Sequence, residues 1–207
     1  ERAGGKVWTP YYSWAIYFDN APMHTQVYGN ICARNTLGGI MISHWGKDVM
    51  VENNVFVDSG QSQAYLLFAG RMSGIRLRRN IFAYTNPQAD FMRLNLAKDA
   101  DLQAILAEVD HNLYFPPPGR VLTFSGLPGE AVARANLEGV PQQDRDWAGW
   151  KALGFDQHSV LADPLFADPE NDNYDLKPGS PALALGFVPI DASRIGCTPL
   201  ATARRIS

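Results

Sequence analysis

A carboxylate and an imidazole, Asp19 and His44, stand 25 residues apart in this chain. Held side by side, they could serve as acid and base in cleaving a glycosidic bond. Arg93, Arg71 and Lys47 supply positive charge of the kind that could neutralise a uronate carboxylate, as β-elimination requires. Tyr17, Trp45 and Tyr65 carry rings on which sugars could stack. Each residue also has a plainer role. Asp19 with Asn20 could simply turn the chain before Pro22, and Lys47 with Asp48 could form another turn. His44 could be a hydrogen-bonded corner residue, and Arg93 a solvated charge. No two carboxylates announce themselves by spacing, and no Ser-His-Asp set can be assigned. Whether any of these groups meet depends on the elements that carry them.

Those elements repeat. VYGNIC (27–32) matches VENNVF (51–56), LRRNIF (77–82) and VDHNLY (109–114), with anchor asparagines Asn30, Asn54, Asn80 and Asn112 separated by 24, 26 and 32 residues. A second phrase keeps step: AIYF (15–18), GIMI (39–42), YLLF (65–68), FMRL (91–94) and VLTF (121–124), separated by 24, 26, 26 and 30 residues. Both phrases alternate with period two, so each is a strand. A period near 25 built from strands, with no room for a crossover helix, predicts turns of chain stacked at about 4.8 Å, a parallel β-helix. Val27, Val51, Leu77 and Val109 are expected to form one inward column, and Ile31, Val55, Ile81 and Leu113 the next. Ile16, Ile40, Leu66, Met92 and Leu122 should face them, beside Phe18, Ile42, Phe68, Leu94 and Phe124. The asparagine of each repeat is expected at a corner, in the left-handed backbone region, bonded to the asparagine one turn away. Glu52, Arg78 and Asp110, preceded by Tyr28, should form an outward solvated ion ladder. Outward positions of the second phrase are Tyr17, Met41, Leu67, Arg93 and Thr123, followed by Asp19, Ser43, Ala69, Asn95 and Ser125, with Tyr65 and Phe91 just before.

Composition narrows the partners. The chain has 207 residues, is 46% hydrophobic and 19% charged, and carries a net charge of −3. That balance supports a globular core, and without a basic block nucleic acid is not expected as a partner. No apolar run reaches the roughly 20 residues of a membrane span, so no membrane partner is expected. Cys32 and Cys197 suggest neither a disulfide framework nor a metal site.

The Asn-cornered segments WAIYFDNAPMHTQVYGN and GGIMISHWGKDVMVENNVFVDSG resemble right-handed parallel β-helix proteins of the pectate-lyase-like superfamily. The segment SVLADPLFADPENDNYDLKPGSPALALGFVPID (159–191) resembles the C-terminal signature that closes many such carbohydrate-active proteins. The resemblance implies an all-β fold, a right-handed parallel β-helix of about five coils, with substrate in a groove along the outside of one sheet. It implies a polysaccharide or oligosaccharide as partner, and secretion or a periplasmic home. It also implies a longer parent chain with further upstream coils. Asp19, His44 and Arg93 become the candidate catalytic residues, and Tyr17, Trp45, Lys47, Tyr65 and Arg71 the substrate contacts. Glycoside hydrolysis is the first expectation; a polysaccharide lyase and a non-catalytic glycan-binding or structural module remain alternatives, because one fold hosts many chemistries.

The coils are expected over residues 1–126 and a C-terminal extension over 127–207, packed on them as one unit. DRDWAGWKALG predicts a short helix near 144–153, with Asp144 or Asp146 as cap and Trp147, Trp150 and Leu153 as an apolar stripe. The stripe should pack on the coils; sugar stacking by Trp147 or Trp150 is the alternative. Asp163, Asp168, Asn171, Asp172, Asn173 and Asp175 could offer oxygens to calcium. Their spacing is not that of an EF-hand loop, and such pairs are ordinary turn formers, so no cofactor is expected. His111 and His158 read as structural, and His24 as a loop residue.

Overall fold

The computed structural model of the chain describes residues 12–67, 71–96, 100–120, 122–126 and 145–194, and the backbone of a short antiparallel pair, Arg2–Ala3 with Lys6–Val7. Phe68, Ala69, Asp144 and Cys197 lie outside the described residues. Parallel sheets dominate. The first orders Trp14–Phe18, Gly38–Ser43, Ser62–Leu67, Asp90–Leu94 and Phe124–Ser125 edge to edge. The second orders Gln26–Tyr28, Met50–Glu52, Ile75–Arg78 and Leu106–Asp110, and the third Ile31–Ala33, Val55–Val57, Ile81–Ala83, Leu113–Phe115 and Val160–Leu161. The chain visits first, second and third sheet in rotation, so each strand pairs with its counterpart from the previous pass.

The second sheet has the expected register. Val27, Val51, Leu77 and Val109 lie opposite one another, all buried. Tyr28, Glu52, Arg78 and Asp110 form the neighbouring row. That row is not simply solvated, however. Glu52 is buried and takes both Arg78, at 3.2 Å, and Arg79. A buried carboxylate needs such paired charge to offset its lost hydration.

The third sheet aligns as expected but faces the other way. Ile31, Val55, Ile81 and Leu113 are opposite one another. They do not point into the core shared by the three sheets; they pack with Phe166, Tyr174, Ala182 and Phe187 of the C-terminal extension. The core instead receives Cys32, Phe56, Phe82 and Tyr114. Their rings stack, Phe56 on Phe82 at 5.2 Å and Phe82 on Tyr114 at 5.5 Å. Segments such as Val55–Phe56–Val57 are apolar on both faces, so alternation alone cannot choose which face is inside.

The first sheet shows a slip of two. Ile16 and Ile40 pair with Ala64, Met92 and Phe124, and Leu66 lies with Ile42 and Leu94. Leu66 and Leu122 therefore leave the expected column. The extra residues of the longer repeats sit in the corners, between Leu67 and Ile75 and between Ala83 and Asp90. A slip of two keeps every side chain on its own face, so the apolar pattern tolerates either alignment. The expectation of no intervening helix also fails: a single turn, Leu102–Ile105, capped by Asp101, precedes Leu106–Asp110.

Between the second and third sheets runs the asparagine ladder. Asn30 Nδ2 donates to Asn54 Oδ1 at 2.9 Å, Asn54 to Asn80 at 3.0 Å and Asn80 to Asn112 at 3.2 Å. The same Oδ1 atoms accept the backbone N–H of the preceding rung at 2.9–3.1 Å. The left-handed corner residue is the one before each anchor: Gly29, Asn53, Arg79 and His111, with φ of 70°, 58°, 52° and 57°. The anchor is thus the ladder residue, and its neighbour turns the chain.

The extension closes this ladder. Asn112 donates its backbone N–H to Ser159 Oγ at 2.8 Å and its side-chain amide to Asp156 at 3.3 Å. Asp156 also accepts from Trp150 Nε1 at 2.7 Å, from Tyr114 at 2.9 Å and from Ser159. The helix Arg145–Ala152 buries Trp150 completely, its ring stacked on Phe124 and Phe155 at 4.6 Å each. Trp147 packs on the core, edge-on to Tyr114. Sugar stacking by Trp150 is therefore overturned.

Candidate functional site

The outer face of the first sheet collects several of the sequence candidates. Tyr17, Met41, Tyr65, Arg93 and Ser125 form one row across five strands. The slip of two is what puts Tyr65 and Ser125 there, in the places expected for Leu67 and Thr123. Tyr17 donates its hydroxyl to Asp19 at 2.9 Å, and this bond pushes the phenol up to about 12. Met41 is buried in the row, under the Tyr12 hydroxyl at 3.6 Å from its sulfur. Tyr12 meets Tyr17 edge to face at 5.8 Å. Trp14 stacks on Tyr65 at 5.5 Å. Gly38 makes this possible, because a Cβ there would lie 1.9 Å from the Trp14 ring.

Toward the later strands the face becomes polar. Arg93 Nε bonds Asp90 at 3.2 Å, and Asp90 also accepts from Thr123 at 3.0 Å and from Ser125. Residues three apart in a regular strand lie on opposite faces. Here Phe91 and Met92 both enter the core, so alternation breaks and Asp90 returns to the outer side with Arg93. Phe91 is thus a core residue, not an outward one. Asp90 was missed in the sequence because the break leaves no signature in a period-two pattern. Tyr12 and Trp14 were missed because their rings reach the row sideways, across Met41 and Gly38.

His44, Trp45 and Arg71 lie beyond the strand ends, at the corner leading to the second sheet. Ala21 N–H donates to the His44 carbonyl at 2.9 Å, which brings the corner holding Asp19 beside the one holding His44. Ser43 Oγ contacts His44 Nδ1. The Arg71 guanidinium sits 5.8 Å over the exposed Trp45 ring. Lys47 is exposed and farther along; its backbone bridges Met23 and Ser73, off the Tyr17–Ser125 row.

A cleft of about 540 Å³ opens over the third sheet, with Val57, Ala83, Phe115 and Phe166 as apolar walls. Two of its charged groups, Arg34 and Asp58, already serve the fold. Arg34 pairs with Asp172 and with Tyr174 at 2.9 Å, and Asp58 accepts twice from Thr85. The acidic run of the extension is likewise spread over separate local contacts: Asp163 holds Leu165 N–H at 2.7 Å, Asp168 takes Asn171 at 2.8 Å, and Asn173 holds Asp175 N–H at 3.0 Å.

No family model, no curated protein and no solved structure matches the chain.

Proposed function

We propose that the chain forms a right-handed parallel β-helix of the pectate-lyase-like kind, and that the outer face of its first sheet binds and cleaves an acidic or plant-type polysaccharide. The observation that carries this reading is the row Tyr17–Met41–Tyr65–Arg93–Ser125, in which aromatic rings on the early strands give way to a guanidinium held by Asp90. Rings offer apolar faces to sugars, and a guanidinium matches a uronate carboxylate in shape and charge. Strands about 4.8 Å apart present these groups at regular steps to a chain laid across them. Asp19 and His44, at neighbouring corners, are the proposed acid and base, and hydrolysis is the proposed reaction.

Purified protein incubated with polyuronates and neutral plant glycans tests this. New reducing ends support hydrolysis, and Asp19→Ala or His44→Ala should lower their rate by about 10²–10⁴-fold with an unchanged melting temperature. Ultraviolet-absorbing unsaturated uronates would replace hydrolysis with elimination. Binding without turnover that is lost in Arg93→Ala would leave a glycan-binding module. Neither binding nor turnover on any glycan would end the reading.

A further inference from the structure

We infer that Asp110, His111 and His158 form a binding site for a divalent transition-metal ion of the zinc class, tying the C-terminal extension to the end of the second sheet. Asp110 ends the strand Leu106–Asp110, and His111 takes the left-handed corner position after it. His158 arrives from the extension, 47 residues later, just before Ser159 joins the asparagine ladder. The three donors therefore come from two segments that only the fold brings together.

The carboxylate is already aimed. Its Oδ1 accepts the backbone N–H of His111 and of His158, both at 2.8 Å, which fixes its rotation. Its Oδ2 faces the two imidazoles, with His158 Nδ1 at 2.7 Å and His111 Nδ1 at 3.6 Å. The rings stack at 5.1 Å with 23° between their planes.

One donor atom from each residue lies within 4.8 Å of the other two. Zinc bonds of about 2.0–2.2 Å place tetrahedral ligands roughly 3.4 Å apart, so His158 Nδ1 must draw back from Asp110 Oδ2 by about 0.7 Å and the widest donor pair must close by at most about 1.4 Å. The imidazoles can make that adjustment because their side chains are 42% and 68% exposed. An ion would replace the proton between His158 Nδ1 and Asp110 Oδ2, and the exposed side would leave a coordination position to water. Two neutral imidazoles and one carboxylate, without a thiolate, suit zinc, copper or nickel better than calcium. The Asp110 backbone contacts are the supporting shell such sites ordinarily need.

Calorimetric titration of the chelator-treated 207-residue chain with zinc chloride tests this. One equivalent should bind and raise the melting temperature. His111→Ala and His158→Ala should each weaken binding by more than about tenfold, with an unchanged melt in chelator. Cys197→Ser and His24→Ala should bind as the parent chain does. Equal binding by the parent and the His158→Ala variant, loss of binding in Cys197→Ser, or no binding at all overturns the site. None of these outcomes involves a glycan, so the site stands or falls apart from the proposed activity.

Discussion

At the scale of single residues, the most consequential group is Asp156, a carboxylate that no repeat phrase contains. Burial pushes it up to about 6, even though Ser159, Trp150, Tyr114 and Asn112 all donate to it. Its place explains its role. Every rung of the ladder donates in the same direction, so the last amide, on Asn112, needs an acceptor, and Asp156 provides one. An acid whose pKa is raised in the folded state stabilises the fold fully below its unfolded pKa, and that contribution is lost as pH rises through about 6. The rise from 3.8 to about 6 corresponds to roughly 3 kcal/mol. The parent chain should therefore gain stability relative to Asp156→Asn as pH falls from about 7 to about 4. Parallel melting curves across that range measure it; equal slopes for the two proteins would show that Asp156 does not titrate there. The asparagines themselves were legible in the sequence because they recur. Asp156 was not, because it appears once, 44 residues beyond the last anchor.

At the scale of elements, what governs is which face each strand buries. Rows Val27–Val109 and Ile31–Leu113 were both readable as columns, since pairing partners recur at one period. The orientation of the third-sheet row was not readable, because both faces of that strand are apolar. Only the presence of Phe166, Tyr174, Ala182 and Phe187 on one side decides it. The first sheet posed a different ambiguity, a slip of two residues that leaves faces unchanged while exchanging Leu67 for Tyr65 in the candidate row. Gly38 probes that row directly. Gly38→Ala brings a Cβ to 1.9 Å from the Trp14 ring and 2.8 Å from the Ser62 carbonyl, so Trp14 must leave Tyr65. Overpacking of this kind costs about 1–3 kcal/mol. A lower denaturation midpoint with altered tryptophan fluorescence is expected. An unchanged spectrum would mean that Trp14 does not lie across the sheet as described.

At the scale of the whole molecule, the extension is the second cover of the third sheet and not an appendage. Val160–Leu161 pairs with Leu113–Phe115, and Asn53 exchanges hydrogen bonds with Val188 at 2.6 and 2.8 Å. Phe166→Ala should then cost about as much as Phe82→Ala, in the range of 3–5 kcal/mol for a buried phenylalanine. Chemical denaturation followed by circular dichroism compares them. A mild effect of Phe166→Ala beside a severe effect of Phe82→Ala would make the extension separable. The sequence by itself determined the strands, the turn-to-turn alignment of the second and third sheets, and the asparagine ladder. These depend on local alternation and on a period, both written in order along the chain. The tertiary structure alone decided which third-sheet face is interior, that Asp90 joins Arg93, that Asp156 ends the ladder, and that His158 reaches Asp110. Each of these depends on a broken alternation or on a contact between segments far apart in the chain, 44 and 48 residues for the last two. Such distances are set by how the chain closes on itself, and no periodic pattern records them.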